Sequence, residues 1–110
     1  MNAVFVGPDS QGLVAALEDQ GVTVTHVDGI ANRPTLEEAG VHEAELYVLT
    51  DVGQATSVVV ARDLNADLRV VAYTGESLPE ILSSQEVLAM DPKLLDPETV
   101  AEELVGGGGA

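Results

Sequence analysis

Two sets of residues in this chain have types and spacings that suit chemistry. The first is Gly7-Pro8-Asp9-Ser10-Gln11-Gly12, a turn that follows the apolar run Ala3 to Val6 and precedes an amphipathic segment. It carries the first and third glycines of the G-x-G-x-x-G pattern, in which a glycine turn and a helix start cradle a pyrophosphate. Asp9 stands where the second glycine would let backbone approach that pyrophosphate. A carboxylate about 5 Å from a phosphate costs on the order of 3 kcal/mol at an effective dielectric of 20, less in concentrated salt. Two roles are therefore open to Asp9. It belongs with Ser10 to a phosphate site, or it caps the helix with its own carboxylate in the place a phosphate would take.

The second set is spread along the chain at the ends of other apolar runs. Asp28 closes one of them at the right place to accept from ribose hydroxyls, and is equally a turn residue before Gly29. Thr50-Asp51, Thr74 and Lys93 close three more. Asp51, Thr74 and Lys93, with Asp9 as a magnesium ligand, imitate a phosphoryl-accepting receiver site. Such a site needs paired acidic residues at the end of the first strand, and Val6-Gly7 stands there instead. The same residue types are also ordinary turn and cap choices.

Little else suggests catalysis, and no catalytic residue or metal ligand is assigned. The chain has no cysteine, which excludes disulfides, thiolate metal sites and cysteine nucleophiles. His26 and His42 are far apart in sequence, and Glu37, Glu38, Glu43 and Glu45 have the spacing of a solvated acidic face. Arg33 and Arg62 are scarce positive charges, suited to an anion or to salt bridges with the acidic surface.

The elements that must position these residues follow from hydrophobic periodicity. Ala3 to Val6 is a first strand, followed by a helix with Leu13, Ala16 and Leu17 on one face and Gly21 at its C-terminal end. Val22 to Val27 mixes valines with Thr23, Thr25 and His26, as suits a sheet edge. Pro34 to Ala39 is a short helix with proline at its start. Glu45 to Thr50 contains the continuous apolar run of a strand buried on both faces. A helix from about Gln54 to Leu64 is apolar nearly all round at Val58 to Ala61. Arg69 to Tyr73 and Glu86 to Met90 are further strands, separated by a helix from Leu78 to about Ser84. Asp96-Pro97 caps a last helix through Leu104. Strand and helix alternate throughout, which predicts an α/β, three-layer Rossmann-like domain with a five-stranded parallel sheet of order 2-1-3-4-5. Residues 1–105 form one domain, and 106–110 a flexible glycine-rich tail.

Charge bounds the setting. Nineteen acidic residues face four basic ones, for a net charge of −15. Such a surface repels nucleic acid and anionic lipid, and its self-repulsion is relieved by concentrated salt. With an aliphatic core composition, this predicts a well-folded cytoplasmic protein of a halophile. No apolar run approaches the roughly 20 residues of a membrane span. The apolar excess of the Gln54–Leu64 helix predicts a homodimer or larger assembly through it.

The segment Leu36-Glu37-Glu38-Ala39-Gly40-Val41-His42-Glu43-Ala44-Glu45-Leu46-Tyr47-Val48-Leu49-Thr50-Asp51, followed by Ala61-Arg62-Asp63-Leu64-Asn65-Ala66-Asp67-Leu68-Arg69-Val70-Val71-Ala72, resembles the N-terminal nucleotide-binding domain of Trk-type potassium-uptake regulators, the RCK domains. The resemblance covers most of the chain, which is also similar to short haloarchaeal proteins. It implies a non-catalytic regulatory module, a transporter or other protein as partner, and NAD(H), ATP or ADP as ligand. By residue match the ligand would be surrounded by Gly7, Gly12, Asp28, Thr50 and Asp51. Against the family pattern, the chain has Asp9 for the second glycine, lacks one helix–strand unit between Val27 and Pro34, and has no C-terminal ligand-sensing domain.

Overall fold

The computed structural model describes residues 1–106. Five strands, β1 (Asn2–Val6), β2 (Thr23–Val27), β3 (Leu46–Leu49), β4 (Arg69–Tyr73) and β5 (Val87–Met90), form one sheet in the order β2-β1-β3-β4-β5. Every pairing is parallel. Four α-helices follow β1, β2, β3 and β5 in turn: α1 (Leu13–Asp19), α2 (Arg33–Glu38), α3 (Thr56–Leu64) and α4 (Pro97–Val105). Fold class and strand order are those expected from the sequence. β2 sits at the edge, as its mixed polarity predicts, and all four residues of β3 are buried.

Alternation along the strands divides the core in two. Val4, Val6, Tyr47, Leu49 and Val70 point to one face and pack with Leu36 of α2 and Val58 and Ala61 of α3. Phe5, Leu46, Val48, Val71 and Tyr73 point to the other, against Leu13 and Leu17 of α1 and Val100, Ala101 and Leu104 of α4. Parallel strands must be joined by crossovers, so both faces are covered and both can be aliphatic. Among the described residues no helix is long and apolar enough to cross a membrane.

The helix ends follow local chemistry. The Asn32 side chain accepts from the Thr35 N–H at 3.1 Å, and Asp96 accepts from Thr99 N–H at 2.8 Å, each with a proline in the first turn. Hydrogen bonding from the Thr99 side chain, and then from its N–H, holds the Asp96 carboxyl below its ordinary pKa. At the end of α3, Asn65 donates to the carbonyls of Val41 and Ala44 at 2.9 Å each, tying that helix to the turn that enters β3.

Two expectations are corrected. The helix expected from Leu78 to Ser84 is a 3-10 turn confined to Glu80–Ser84. Pro79 disfavours helical backbone at Leu78 and is itself extended, with φ −59° and ψ 150°, which leaves too few residues for an α-helix before β5. The helix expected from Gln54 likewise begins as a 3-10 turn, Val52–Gln54, and becomes α-helical at Thr56. Of the predicted tail, residues 107–110 lie outside the described residues.

Candidate functional site

In an open parallel sheet, ligands bind beyond the carboxyl ends of the strands, where the strand order reverses. Here the reversal lies between β1 and β3. The two turns that leave these strands, Gly7–Gly12 and Thr50–Gly53, stand side by side and are locked together. The Thr50 N–H donates to the Val6 carbonyl at 3.0 Å, and the Thr50 hydroxyl donates to the Pro8 carbonyl at 2.7 Å. Gly7 has φ +111°, and a Cβ built there would lie 2.3 Å from Thr50 Oγ1 and 2.7 Å from the Asp51 nitrogen. Glycine is therefore required twice over, by backbone conformation and by the approach of the second turn. From the other side, His26 Nε2 lies 2.6 Å from the Gly7 carbonyl, its ring edge-on to Phe5 with centroids 5.1 Å apart.

Asp9 is turned toward the start of α1. Its Oδ1 accepts from the Leu13 N–H at 2.7 Å, and Val14 N–H lies 3.3 Å from Oδ2. These are the first amides of the helix, which have no intrahelical partner. A carboxylate there gains both their hydrogen bonds and the positive end of the helix dipole. Gly12, with φ +81°, supplies the left-handed residue from which the helix departs, and its Cβ position is open.

The turn divides the crevice into two hollows. One, of about 460 Å³, is bounded by Gly7, His26, Asp28, Ile30, Asp51 and Gln54. The other, of about 150 Å³, is bounded by Asp9, Ser10, Gln11, Thr50, Thr74 and Pro92. Pro8 lines both and forms the ridge between them. The residues expected to surround one ligand thus fall into two groups: Gly7, Asp28 and Asp51 on one side, Asp9, Ser10 and Thr50 on the other. Gly12 lines neither hollow. Asp51 and Thr74, the pair of the receiver-like reading, are also separated, and Lys93 lines neither space. Asp51 accepts from the Gly53 N–H at 2.9 Å and Thr74 from the Glu76 N–H at 3.1 Å, both as local turn acceptors. Among the described residues no three His, Asp or Glu side chains gather in a metal-binding group.

Electrostatically the crevice is acidic. Asp28 and Asp51 line one hollow and Asp9 the other, and no Lys or Arg lines either. At the smaller hollow the Tyr73 hydroxyl donates to the Leu95 carbonyl at 2.7 Å. Burial pushes its pKa up, with Asp96, Glu98 and Asp91 adding to the effect.

Two residues shape the site without having been singled out for it. Gln54 donates to the Gly29 carbonyl at 2.8 Å and accepts from the Ala31 N–H at 2.7 Å, clamping the loop that carries Asp28. His26 fixes the first turn as described. Neither role has a local sequence signal, since the partners lie 19 to 25 residues away.

Comparison with known proteins places the fold. The chain is similar to a solved Burkholderia thailandensis protein described as a pilus assembly protein (cpaE), with TM-score 0.64 and 15% identity over 100% of this chain and 99% of that one. It is similar also to a pilus assembly-related protein of Burkholderia pseudomallei, with TM-score 0.58 and 16% identity over 94% of this chain and 86% of that one. At these identities the likeness is one of fold. No curated protein matches the sequence. A family model matches residues 3–104, nearly the whole of the described chain, and the protein belongs to that family of unknown function, DUF7126.

Proposed function

We propose that the protein is a non-catalytic regulatory or interaction module in which the phosphate position of a Rossmann-like crevice is filled by the protein's own carboxylate. The observation that carries this reading is Asp9 Oδ1 at 2.7 Å from the Leu13 N–H, on the amides a phosphate would use. The absence of Lys and Arg from both hollows points the same way, because a nucleotide's phosphates would meet Asp9, Asp28 and Asp51 with no counter-charge.

Calorimetry with NADH, NAD, ATP and ADP in concentrated potassium chloride tests this. Wild-type protein is expected to give no binding heat with any of the four. Asp9→Gly is expected to lose about 1 kcal/mol of stability with the carboxylate's hydrogen bonds and its interaction with the helix dipole, and to gain nucleotide affinity. Micromolar binding by the wild type would overturn the proposal.

That outcome would favour the second reading, a nucleotide-binding regulatory module akin to the potassium-uptake regulators. Its support is the hollow of about 460 Å³ beside Asp28, within the usual size of a small-molecule site. In that reading the ribose sits at Asp28, the phosphates lie along Gly7, Ser10 and Gly12, and Thr50-Asp51 closes the site. NAD(H), ATP or ADP is the ligand, and a transporter or other protein the partner.

Two further parts of the proposal concern setting and assembly. The net charge of −15 supports work in the salt-rich cytoplasm of a halophile. Val59 on α3 is 38% exposed, and on it rests the part of the proposal that concerns self-association through that helix. Sedimentation in molar potassium chloride is expected to show a dimer or larger species; a monomer would remove that part.

A further inference from the structure

With four basic residues against nineteen acidic ones, the placement of each cation is informative. Arg33 pairs with Asp63 at 2.6 Å. Arg62 and Arg69 make no ion pair among the described residues. Both line a hollow of about 710 Å³ at the opposite end of the strands from the crevice, where β4 and β5 begin and α3 ends.

The two arginines approach this hollow from different layers. Arg62 comes from α3, and its Nη2 donates to the Glu86 carbonyl at 2.5 Å. Arg69 comes from the first position of β4, and its Nη1 donates to the Leu104 carbonyl of α4 at 3.0 Å. A guanidinium has five N–H donors. One bond to a backbone carbonyl leaves most of them without a protein partner, and the Arg62 Nε is buried with no hydrogen bond at all. Asp67 and Glu86 also line the hollow, so two carboxylates offset two guanidiniums. On a chain of net charge −15, this is a place where an anion meets little repulsion.

We propose that this hollow is an anion site, in which Arg62 and Arg69 together hold a small multivalent oxyanion bearing phosphate or carboxylate groups. Planar guanidiniums match both groups through paired N–H donors. The volume lies within the range of about 300–1,000 Å³ typical of small-molecule sites. A ligand bridging the two arginines would also fasten α3 to the β4–α4 side of the sheet, so its binding should raise thermal stability with concentration.

Calorimetry and thermal melting with pyrophosphate and with citrate test the proposal on the full chain, at a potassium chloride concentration that keeps it folded. At least one ligand is expected to bind and to raise the melting temperature with dose. Arg69→Gln is expected to weaken binding at least tenfold. Because Arg69→Gln also removes the bond to α4, Ser84→Glu serves as a second variant: Ser84 is exposed on the rim, and the change adds a negative charge there. It should weaken binding comparably while the fold, followed by circular dichroism, is retained. Glu18→Gln on the exposed face of α1 should leave affinity unchanged. Preference for pyrophosphate assigns the natural ligand to phosphate compounds, and preference for citrate to polycarboxylates. Absence of binding by both ligands, or binding untouched by Arg69→Gln and Ser84→Glu, overturns the site. A ligand effect seen only as a change in sedimentation overturns it too, in favour of a contact between acidic copies of the chain.

Discussion

Gly7→Ala is expected to lower stability by about 2–5 kcal/mol, combining roughly 1–2 kcal/mol for a left-handed backbone with about 1–3 kcal/mol for overpacking. The clash is with the Thr50 hydroxyl at 2.3 Å and the Asp51 backbone nitrogen at 2.7 Å. A hydroxyl can rotate away, but a main-chain nitrogen held in a turn cannot move without disturbing the pairing of β1 with β3. Against a total stability of about 5–15 kcal/mol, a loss of this size should be plain as a fall in the urea midpoint. Gly12→Ala is the matched comparison. Its φ of +81° imposes similar strain, yet its Cβ would meet nothing within 4 Å. It should cost about 1–2 kcal/mol. Equal losses at the two positions would show that backbone conformation alone decides, and that the approach of the second turn does not matter.

Stability should also fall between about pH 10 and pH 12 because of Tyr47. Its ring is fully buried, and burial pushes its pKa up to about 12, against a smaller opposing effect of its hydrogen bond to Ser57. In the unfolded chain the phenol ionises near pH 10, so above that pH the unfolded state releases a proton that the folded state retains. Folding therefore weakens by about 1.4 kcal/mol per pH unit across that window, on the order of 3 kcal/mol in all. Tyr47→Phe removes this component. At neutral pH it should cost only about 1 kcal/mol, since the Ser57 hydroxyl keeps its bond to the Gln54 carbonyl at 2.6 Å. Tyr73, also shifted upward, adds its own alkaline loss in both proteins. The difference between wild type and Tyr47→Phe isolates Tyr47, and parallel pH curves would refute the assignment.

The fold was legible because its signals are local. A continuous Leu46–Leu49 run marks a strand covered on both faces, and Asn32 and Asp96 each precede a proline-started helix that they cap. Thr23, Thr25 and His26 among valines mark an edge. The 3-10 turn at Glu80–Ser84 was missed because an apolar pattern does not distinguish one helical turn from several; Pro79 was the available clue. The candidate site was legible only in part. Its residues could be gathered at one end of the sheet from strand order alone, but their division by Pro8 into two hollows depends on how two turns pack. The sequence leaves Asp9 a choice between ligand and cap, because the direction of its carboxylate depends on how the turn meets α1. The bonds of His26 to Gly7 and of Gln54 to Gly29 and Ala31 have no sequence pattern, because each joins a side chain to the backbone of another element.

The bond from Thr50 to the Pro8 carbonyl spans 42 residues, so the first turn is closed by a contact far away in the chain. Residues 1–27 give β1 only one neighbour, β2. Its other edge stays bare until Leu46–Leu49 arrives, and the first turn has nothing to close against until Thr50 follows. Closing so long a loop carries an entropic cost that a hairpin avoids. The stretch that looks most self-contained in the sequence is thus completed by a residue near the middle of the chain.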